Sequence, residues 1–391
     1  MCCGILGVSM KIVFTGGPGG HFYPLIAIAE SLRDLVRERH LLMPELYFIA
    51  PDPFDTAALF ENKITYIYCP AGKLRRYFSF QKFLDFFKTA RGLVSALITL
   101  FQLYPDVVIS KGGFGSVPVT LAANILGIPV IIHDSDAKPG RASLFAASRA
   151  TRIAIAFDSA RVFFPKKVQD RIALVGIPIR SELAIIAPEG GAQELGLDTS
   201  VPTVLIFGGS SGSQKINDVI IAALPDLVGV MNVIHQTGKA NFADVQATSS
   251  VVLSHNPLAS RYHPFPYLNI SSIRKAVSAS TLIVSRAGAT AISEIALWHK
   301  PAILIPIPEA VSHDQRTNAY AYAHTGGAVV LEESNLTPHV LVSEVKRIGL
   351  NVELSASMGQ KGASFASPQA GRIIADEALS IALSHEPQST V

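Results

Sequence analysis

KIVFTGGPGGHFYP (11–24) and TVLIFGGSSGSQKIN (203–217) decide the fold. Each is a short apolar run, rich in β-branched residues, that runs into a glycine turn and then into residues suited to open a helix. A strand, a glycine turn and a helix start leave unpaired backbone N–H groups and the positive end of a helix dipole at the tip of a strand, a place that favours anions. One such loop can serve only a tight turn and close helix–sheet packing. Two of them, one opening each half of the chain, predict two doubly wound α/β domains of the Rossmann type, with parallel sheets facing each other across a cleft.

Around these loops the βαβ rhythm continues. In the first half the expected strands are KIVFTG (11–16), LYFIA (46–50), DVVIS (106–110), PVIIHD (129–134) and RIALVG (171–176). In the second half they are TVLIFGG (203–209), NVIHQTG (232–238), SVVLSH (250–255), TLIVSRAG (281–288), PAILIPI (301–307) and AVVLEE (328–333). The stretch 177–202 carries prolines and a glycine pair and loses the strand pattern, as a hinge between domains does. The expected organisation is therefore an N-terminal domain over 10–180, a linker over 181–202 and a C-terminal domain over 203–362. A helical tail over 363–391 can pack back on the N-terminal domain.

With 391 residues the chain suits two domains better than one. A net charge of +3 is too mild to attract nucleic acid or anionic lipid through the whole-protein field, so charge must be read locally. The three cysteines, Cys2, Cys3 and Cys69, do not make a disulfide framework and fit a reducing cytoplasm. Mean hydropathy is +0.35, yet the longest uncharged stretch, 112–132, is broken by Pro118 and Pro129 and reads as loop, buried helix and buried strand. Residues 1–9 lack the features of a signal peptide, and Met10 offers an alternative start. The expectation is a cytoplasmic protein without a membrane span.

Polar residues gather at the ends of the expected strands, where open α/β sheets bind ligands. His21 follows the first glycine loop and can act as a general base or a positioning group there. His133, Asp134 and Asp136 stand at another strand end; they lack metal-ligand spacing, and aspartates before Pro139 and Gly140 also form turns. In the second half, Glu294 lies near a helix start after SRAG, where it complements the dipole or accepts bonds from ribose hydroxyls. Gln315, in the HDQRTNA stretch, offers a donor and an acceptor for vicinal hydroxyls.

The segment 73–101 stands apart in composition. Between Lys73 and Arg91 it carries six basic residues (Lys73, Arg75, Arg76, Lys82, Lys88, Arg91) and one acid, Asp85, interleaved with Tyr77, Phe78, Phe80, Phe83, Phe86 and Phe87. Such a helix can turn its aromatic face into the core, or lie in the interfacial plane of an anionic membrane. The run of phenylalanines beside Arg75 and Arg76 favours the membrane, with Phe83, Phe86 and Phe87 in the headgroup region. Nucleic acid is not expected, because a basic groove across the protein is lacking.

Taken together, GGPGGHFYP, SKGGFGSVP, VIIHDSD, VGIPIR, FGGSSGSQKIN, HQTGK, SRAGATAISE and HDQRTNA resemble the glycosyltransferase B superfamily, and within it the MurG family of peptidoglycan enzymes. The resemblance runs from about Lys11 to about residue 350. It implies an inverting hexosyltransferase that moves N-acetylglucosamine from UDP-GlcNAc to the muramoyl sugar of undecaprenyl-diphosphate-linked lipid I, forming lipid II at the inner face of the cell membrane. Carried over by position, Gly208, Gly209, Ser210, Asn217, Arg180, Arg286, Glu294 and Gln315 belong to the donor side. Gly16, Gly17, Gly19, Gly20, Phe114 and Ser143 belong to the acceptor side. His21 is the expected base, with Asp136 and Asp134 as rivals, and no cofactor or metal is expected. The departures fall on the acceptor side: Pro18 replaces threonine, Phe114 tyrosine, Ser143 and Ile177 asparagine, and the His-Glu-Gln-Asn strand end reads His133-Asp134-Ser135-Asp136. They leave room for another lipid or polyprenyl-sugar acceptor, for an epimerase of similar form, or for a binding protein without turnover.

Overall fold

The computed structural model describes residues 10–17, 19–72, 80–184, 190–209, 212–311 and 314–384, with backbone alone at 19, 80–84 and 86. The chain folds as two compact units, Met1–Arg180 with Pro368–Val391, and Ser181–Ser367.

The described residues of the first unit form seven strands: β1 (Lys11–Thr15), β2 (Glu45–Ala50), β3 (Ile64–Tyr68), β4 (Val107–Ser110), β5 (Val130–Asp134), β6 (Arg152–Ile155) and β7 (Ile172–Leu174). They form one parallel sheet in the order β3-β2-β1-β4-β5-β6-β7. Its helices are α1 (Tyr23–Glu38), α2 (Thr56–Glu61), α3 (Phe80–Leu103), α4 (Val117–Ile125) and α5 (Arg141–Ala147). In the second unit come α6 (Ser181–Ala184), α7 (Gly191–Glu194), α8 (Gln214–Val228), α9 (Phe242–Val252), α10 (Ile270–Ala279), α11 (Ala289–Leu297), α12 (Gln315–Ala323), α13 (Pro338–Gly349) and α14 (Val352–Ala363). They surround a parallel sheet ordered β10-β9-β8-β11-β12-β13, made of β8 (Thr203–Phe207), β9 (Asn232–Gln236), β10 (Tyr262–Phe265), β11 (Leu282–Ser285), β12 (Ala302–Leu304) and β13 (Ala328–Val330). The last helix, α15 (Ala370–Ser384), returns to the first unit.

Both sheets reverse their winding beside the strand that feeds a glycine loop, between β1 and β4 and between β8 and β11. At such a switch point the loops splay apart and open a crevice at the carboxyl ends of the strands. The register is matched in the two halves: Thr15 pairs with Ser110, and Phe207 with Ser285.

Three readings of the sequence change. SVVLSH is not a strand: Ser250–Val252 end α9, and the strand of that region is YHPF, Tyr262–Phe265. Val251 and Val252 point outward, so β-branched residues here mark a helix surface rather than a sheet core. ITYIY (β3) and RIAI (β6) are strands that the pattern did not single out. The described part of 181–202 is not a free linker but packs on the second unit. There Leu183 is buried, its carbonyl accepts Trp298 Nε1–H at 2.8 Å, and Asp198 pairs with Arg261 at 2.8 Å.

Candidate active site

In the first unit, β1 ends at Thr15 and the buried Gly16 and Gly17 carry the chain into a single turn of 3-10 helix, Gly19–His21, ahead of α1. The loop after β4 packs against it: a Cβ on Gly115 would stand 2.8 Å from the carbonyl oxygen of Gly16. Gly112 and Gly113 adopt φ of +78° and +81°, the left-handed region, which lets the SKGG turn fold flat against the first loop. Phe114 follows, half-buried, at the start of the turn Phe114–Ser116.

His21 Nδ1 lies 3.1 Å from the carbonyl oxygen of Lys111. A carbonyl only accepts, so Nδ1 carries the proton and Nε2 keeps a lone pair, the form a general base needs. Burial, and then the charge of Lys111, lower its pKa to about 4, against the opposing influence of the bond to the Lys111 carbonyl and of Asp134. The ring is therefore neutral at physiological pH.

The carboxylates divide by their partners. Asp134 accepts the backbone N–H of Asp136 on Oδ1 and that of Gly140 on Oδ2, each at 3.1 Å, and bonds the side chain of Ser143. Both oxygens brace the turn into α5, and burial followed by the neighbouring Asp136 raises its pKa. Asp134 thus holds the turn, and the buried Ser143 bonds to Asp134. Asp136 is half-buried at the same strand end. His133 Nε2–H donates to the carbonyl of Gly176 at 2.8 Å, and the ring is fully buried. Arg180 belongs to this unit as well, its guanidinium 4.4 Å from the centre of the Tyr23 ring.

In the second unit, Ser213 caps α8 and accepts Ile216 N–H at 3.4 Å. Gly209 and Gly212 adopt φ of +91° and +77°, and a Cβ on Gly212 would stand 2.1 Å from the carbonyl oxygen of Thr237. The loop is thereby pressed onto the end of β9, where Gln236 Nε2 donates to the carbonyl of Gly209 at 3.2 Å. Asn217 is turned inward: Nδ2 donates to Thr237 O at 3.0 Å, and Oδ1 accepts His235 Nε2–H at 3.1 Å. The hydroxyl of Tyr262 lies 3.0 Å from His235 Nδ1, completing a buried chain that sequence reasoning missed. Its signal was only the histidine that follows Val233 and Ile234 in β9.

Arg286, directly after β11, is also a brace. It donates to the carbonyl of Ile305 at 3.2 Å and to Ser213 Oγ at 2.6 Å, and pairs with Glu333 at 2.6 Å. Glu294 stands half-buried in the second turn of α11, and Gln315 opens α12 with Oε1 accepting Ile307 N–H at 3.2 Å. Arg316, the residue after Gln315, lines a hollow of about 270 Å³ with Pro306, Ile307, Glu309, Glu332 and Glu333. Among the described residues no group of three His, Cys, Asp or Glu gathers as metal ligands do. Pro18, Ser210, Arg75, Arg76 and His313 lie outside the described residues, as do the side chains of Phe83 and Phe86.

Two domain models match the chain: the glycosyltransferase family 28 N-terminal domain over residues 12–155 and the C-terminal domain over 203–371. Curated relatives named UDP-N-acetylglucosamine–N-acetylmuramyl-(pentapeptide) pyrophosphoryl-undecaprenol N-acetylglucosamine transferase match nearly end to end. The protein of Treponema denticola is 33% identical over 93% of this chain and 96% of its own length. That of Halothermothrix orenii is 34% identical over 92% and 96%. The chain belongs to the MurG branch of glycosyltransferase family 28. Among solved structures, MurG of Acinetobacter baumannii superposes with a TM-score of 0.71 at 25% identity, covering 95% of this chain and 99% of that one. UDP-GlcNAc 2-epimerase from Neisseria meningitidis reaches a TM-score of 0.67 over 95% and 100% at 13% identity, a likeness of fold alone. This family 28 enzyme is therefore a GT-B glycosyltransferase, and its two glycine loops are the repeated switch points of that architecture.

Proposed function

We propose that this enzyme transfers N-acetylglucosamine from UDP-GlcNAc to the muramoyl sugar of lipid I, inverting the anomeric centre and forming lipid II. The observation that carries the reading is the match of 93% and 92% of the chain to transferases of that name. The second unit holds the donor: the loop at Gly208 and Gly209 and the N-terminus of α8 offer N–H groups to the diphosphate, Glu294 accepts the ribose hydroxyls, and Gln315 reads the sugar. Arg286 and Asn217 position that loop. In the first unit His21 Nε2 takes the proton of the acceptor hydroxyl as that oxygen bonds to C1 and the bond from C1 to the diphosphate breaks. The transition state is oxocarbenium-like, so most of the rate comes from holding the reactants and stabilising the departing diphosphate, which these groups supply without a metal.

The acceptor carries a long lipid, and α3 supports contact with a membrane surface. Phe87, Val94, Ile98 and Phe101 are 53%, 58%, 54% and 70% exposed and share one helix face, with Lys88 and Arg91 also exposed on α3. An exposed apolar stripe beside basic residues suits the headgroup region of an anionic bilayer. No described helix is long and apolar enough to cross a membrane. Ile98→Ser with Phe101→Ser is expected to weaken binding to phosphatidylglycerol vesicles roughly tenfold or more with the circular dichroism unchanged; equal binding removes α3 from the membrane face.

The test of the reaction is UDP release from UDP-GlcNAc with and without a lipid I analogue. Release only with the analogue, together with a disaccharide product, is the expected result. Conversion of UDP-GlcNAc to an epimer without acceptor points to the epimerase reading, and donor binding without release points to another acceptor.

A further inference from the structure

Lys111 is not assigned a task by the mechanism above, yet it is among the most deeply buried side chains of the protein. It follows β4 directly, and its backbone N–H donates to Thr15 O at 2.9 Å across the switch point. Its ammonium donates to Ser135 Oγ at the end of β5, in the field of Asp134 and Asp136. A buried ammonium costs several kcal/mol unless it is bonded and countered by opposite charge. Burial lowers the Lys111 pKa, and the Ser135 bond and the charges of Asp134 and Asp136 oppose that and favour the ammonium.

The second unit places a cation at the same point of its own sheet. Arg286 follows β11 as Lys111 follows β4, one residue beyond the matched pairs Ser285–Phe207 and Ser110–Thr15. It ties the β11 end to the glycine loop through Ser213 and to Glu333. Lys111 has the corresponding contacts: its carbonyl holds His21 Nδ1–H, at the end of the first glycine loop, and its side chain holds the β5 end.

We propose that Lys111 is a positioning residue for His21. Its carbonyl fixes the ring with Nδ1 protonated, and its buried ammonium keeps the ring in the neutral form that can accept a proton at Nε2. The second half of this rests on the charge of Lys111 acting on a ring that its own carbonyl holds at 3.1 Å. The charges facing His21 are Lys111, which disfavours the imidazolium, and Asp134, which favours it. Those facing Lys111 are Asp134 and Asp136, with the neutral His133 beside them. Removing the ammonium leaves the carboxylates unopposed, and the imidazolium becomes easier to form.

The inference rests on the reading of His21 as the acceptor-side base, but its test needs no substrate. In the full-length protein labelled with carbon-13 histidine, the His21 signal is assigned by its loss in His21→Asn and followed from pH 3.5 to 8. Lys111→Met is expected to raise the His21 midpoint by roughly one pH unit, and Lys111→Arg to restore it. A midpoint unchanged in folded Lys111→Met overturns the proposal. Should that variant not fold, Ser135→Ala decides. It strips the ammonium of its hydroxyl partner, so the charge withdraws or is lost and the midpoint rises by less; an unmoved midpoint there also overturns the proposal. UDP release with the lipid I analogue is measured separately, so a failed reaction and an unmoved histidine are distinct results.

Discussion

At the scale of single residues, the histidines tie the site to stability. Burial lowers His21 to about 4 and His235 to about 3. The unfolded chain holds these protons from near pH 6.5, so between 6.5 and the folded values it binds more protons than the native state. Stability is then full above pH 6.5 and falls as the medium is acidified toward pH 4, at a cost on the order of 3 kcal/mol for each ring. Asp134, raised by burial, works in the opposite sense and softens the fall. Urea unfolding at pH 7.5, 6 and 5 is expected to show a steadily lower midpoint; a flat profile contradicts the buried neutral rings. Glu294→Ala is expected to weaken UDP binding by about tenfold or more, since hydrogen bonds to a charged group are worth about 1.5–3 kcal/mol. Calorimetry showing equal affinity removes Glu294 from the donor site. Residue types marked His21, Glu294 and Gln315 as candidates. They did not mark Asn217 and Arg286 as braces, because the same amide or guanidinium bonds a ligand or a carbonyl equally well, and only the neighbours decide.

At the scale of elements, the second glycine loop is set by backbone geometry. Gly212 combines a φ of +77° with contact against Thr237 O, so any side chain is strained there and also displaces the loop. Gly212→Ala is expected to cost roughly 2 kcal/mol or more and to weaken UDP binding along with it; thermal unfolding and calorimetry on one sample read both. The glycines in the motif announced this loop, because few other residues adopt its backbone. By contrast SVVLSH misled, since a short apolar run fits a strand or the exposed end of a helix, and periodicity over so few residues does not separate them. The strand YHPF escaped notice because histidine and proline interrupt its apolar pattern, a pattern that an edge strand such as β10 does not need. The aromatic cluster before residue 88 drew attention to α3. The exposed stripe found on that helix runs on to Phe101, where alternation with the buried Ala96 and Leu100 sets the outer face.

At the scale of the molecule, the first unit is closed by residues from the far end of the chain. Ala375, Ala378, Leu379 and Ala382 of α15 join the core formed with Leu25, Ile28, Leu32 and Leu35 of α1, and Arg372 pairs with Glu38 at 2.5 Å. The small alanines let the two helices approach closely, which leaves Ile374 and Leu379 as the large buried side chains that α15 adds to this core. Leu379→Ala is expected to destabilise the protein by about 2–4 kcal/mol, seen as a lower unfolding midpoint; a change below about 0.5 kcal/mol contradicts this core role. The sequence by itself determined the architecture: two strand–glycine–helix openings and the βαβ rhythm repeat it in each half, because strand burial and turn geometry are local constraints written in residue type. Only the tertiary structure decided which polar groups brace the loops, where the last helix docks, and that Lys111 meets His21. Those outcomes depend on residues brought together from distant strands, and the burial and charge they impose on one another exist only once the sheets are formed.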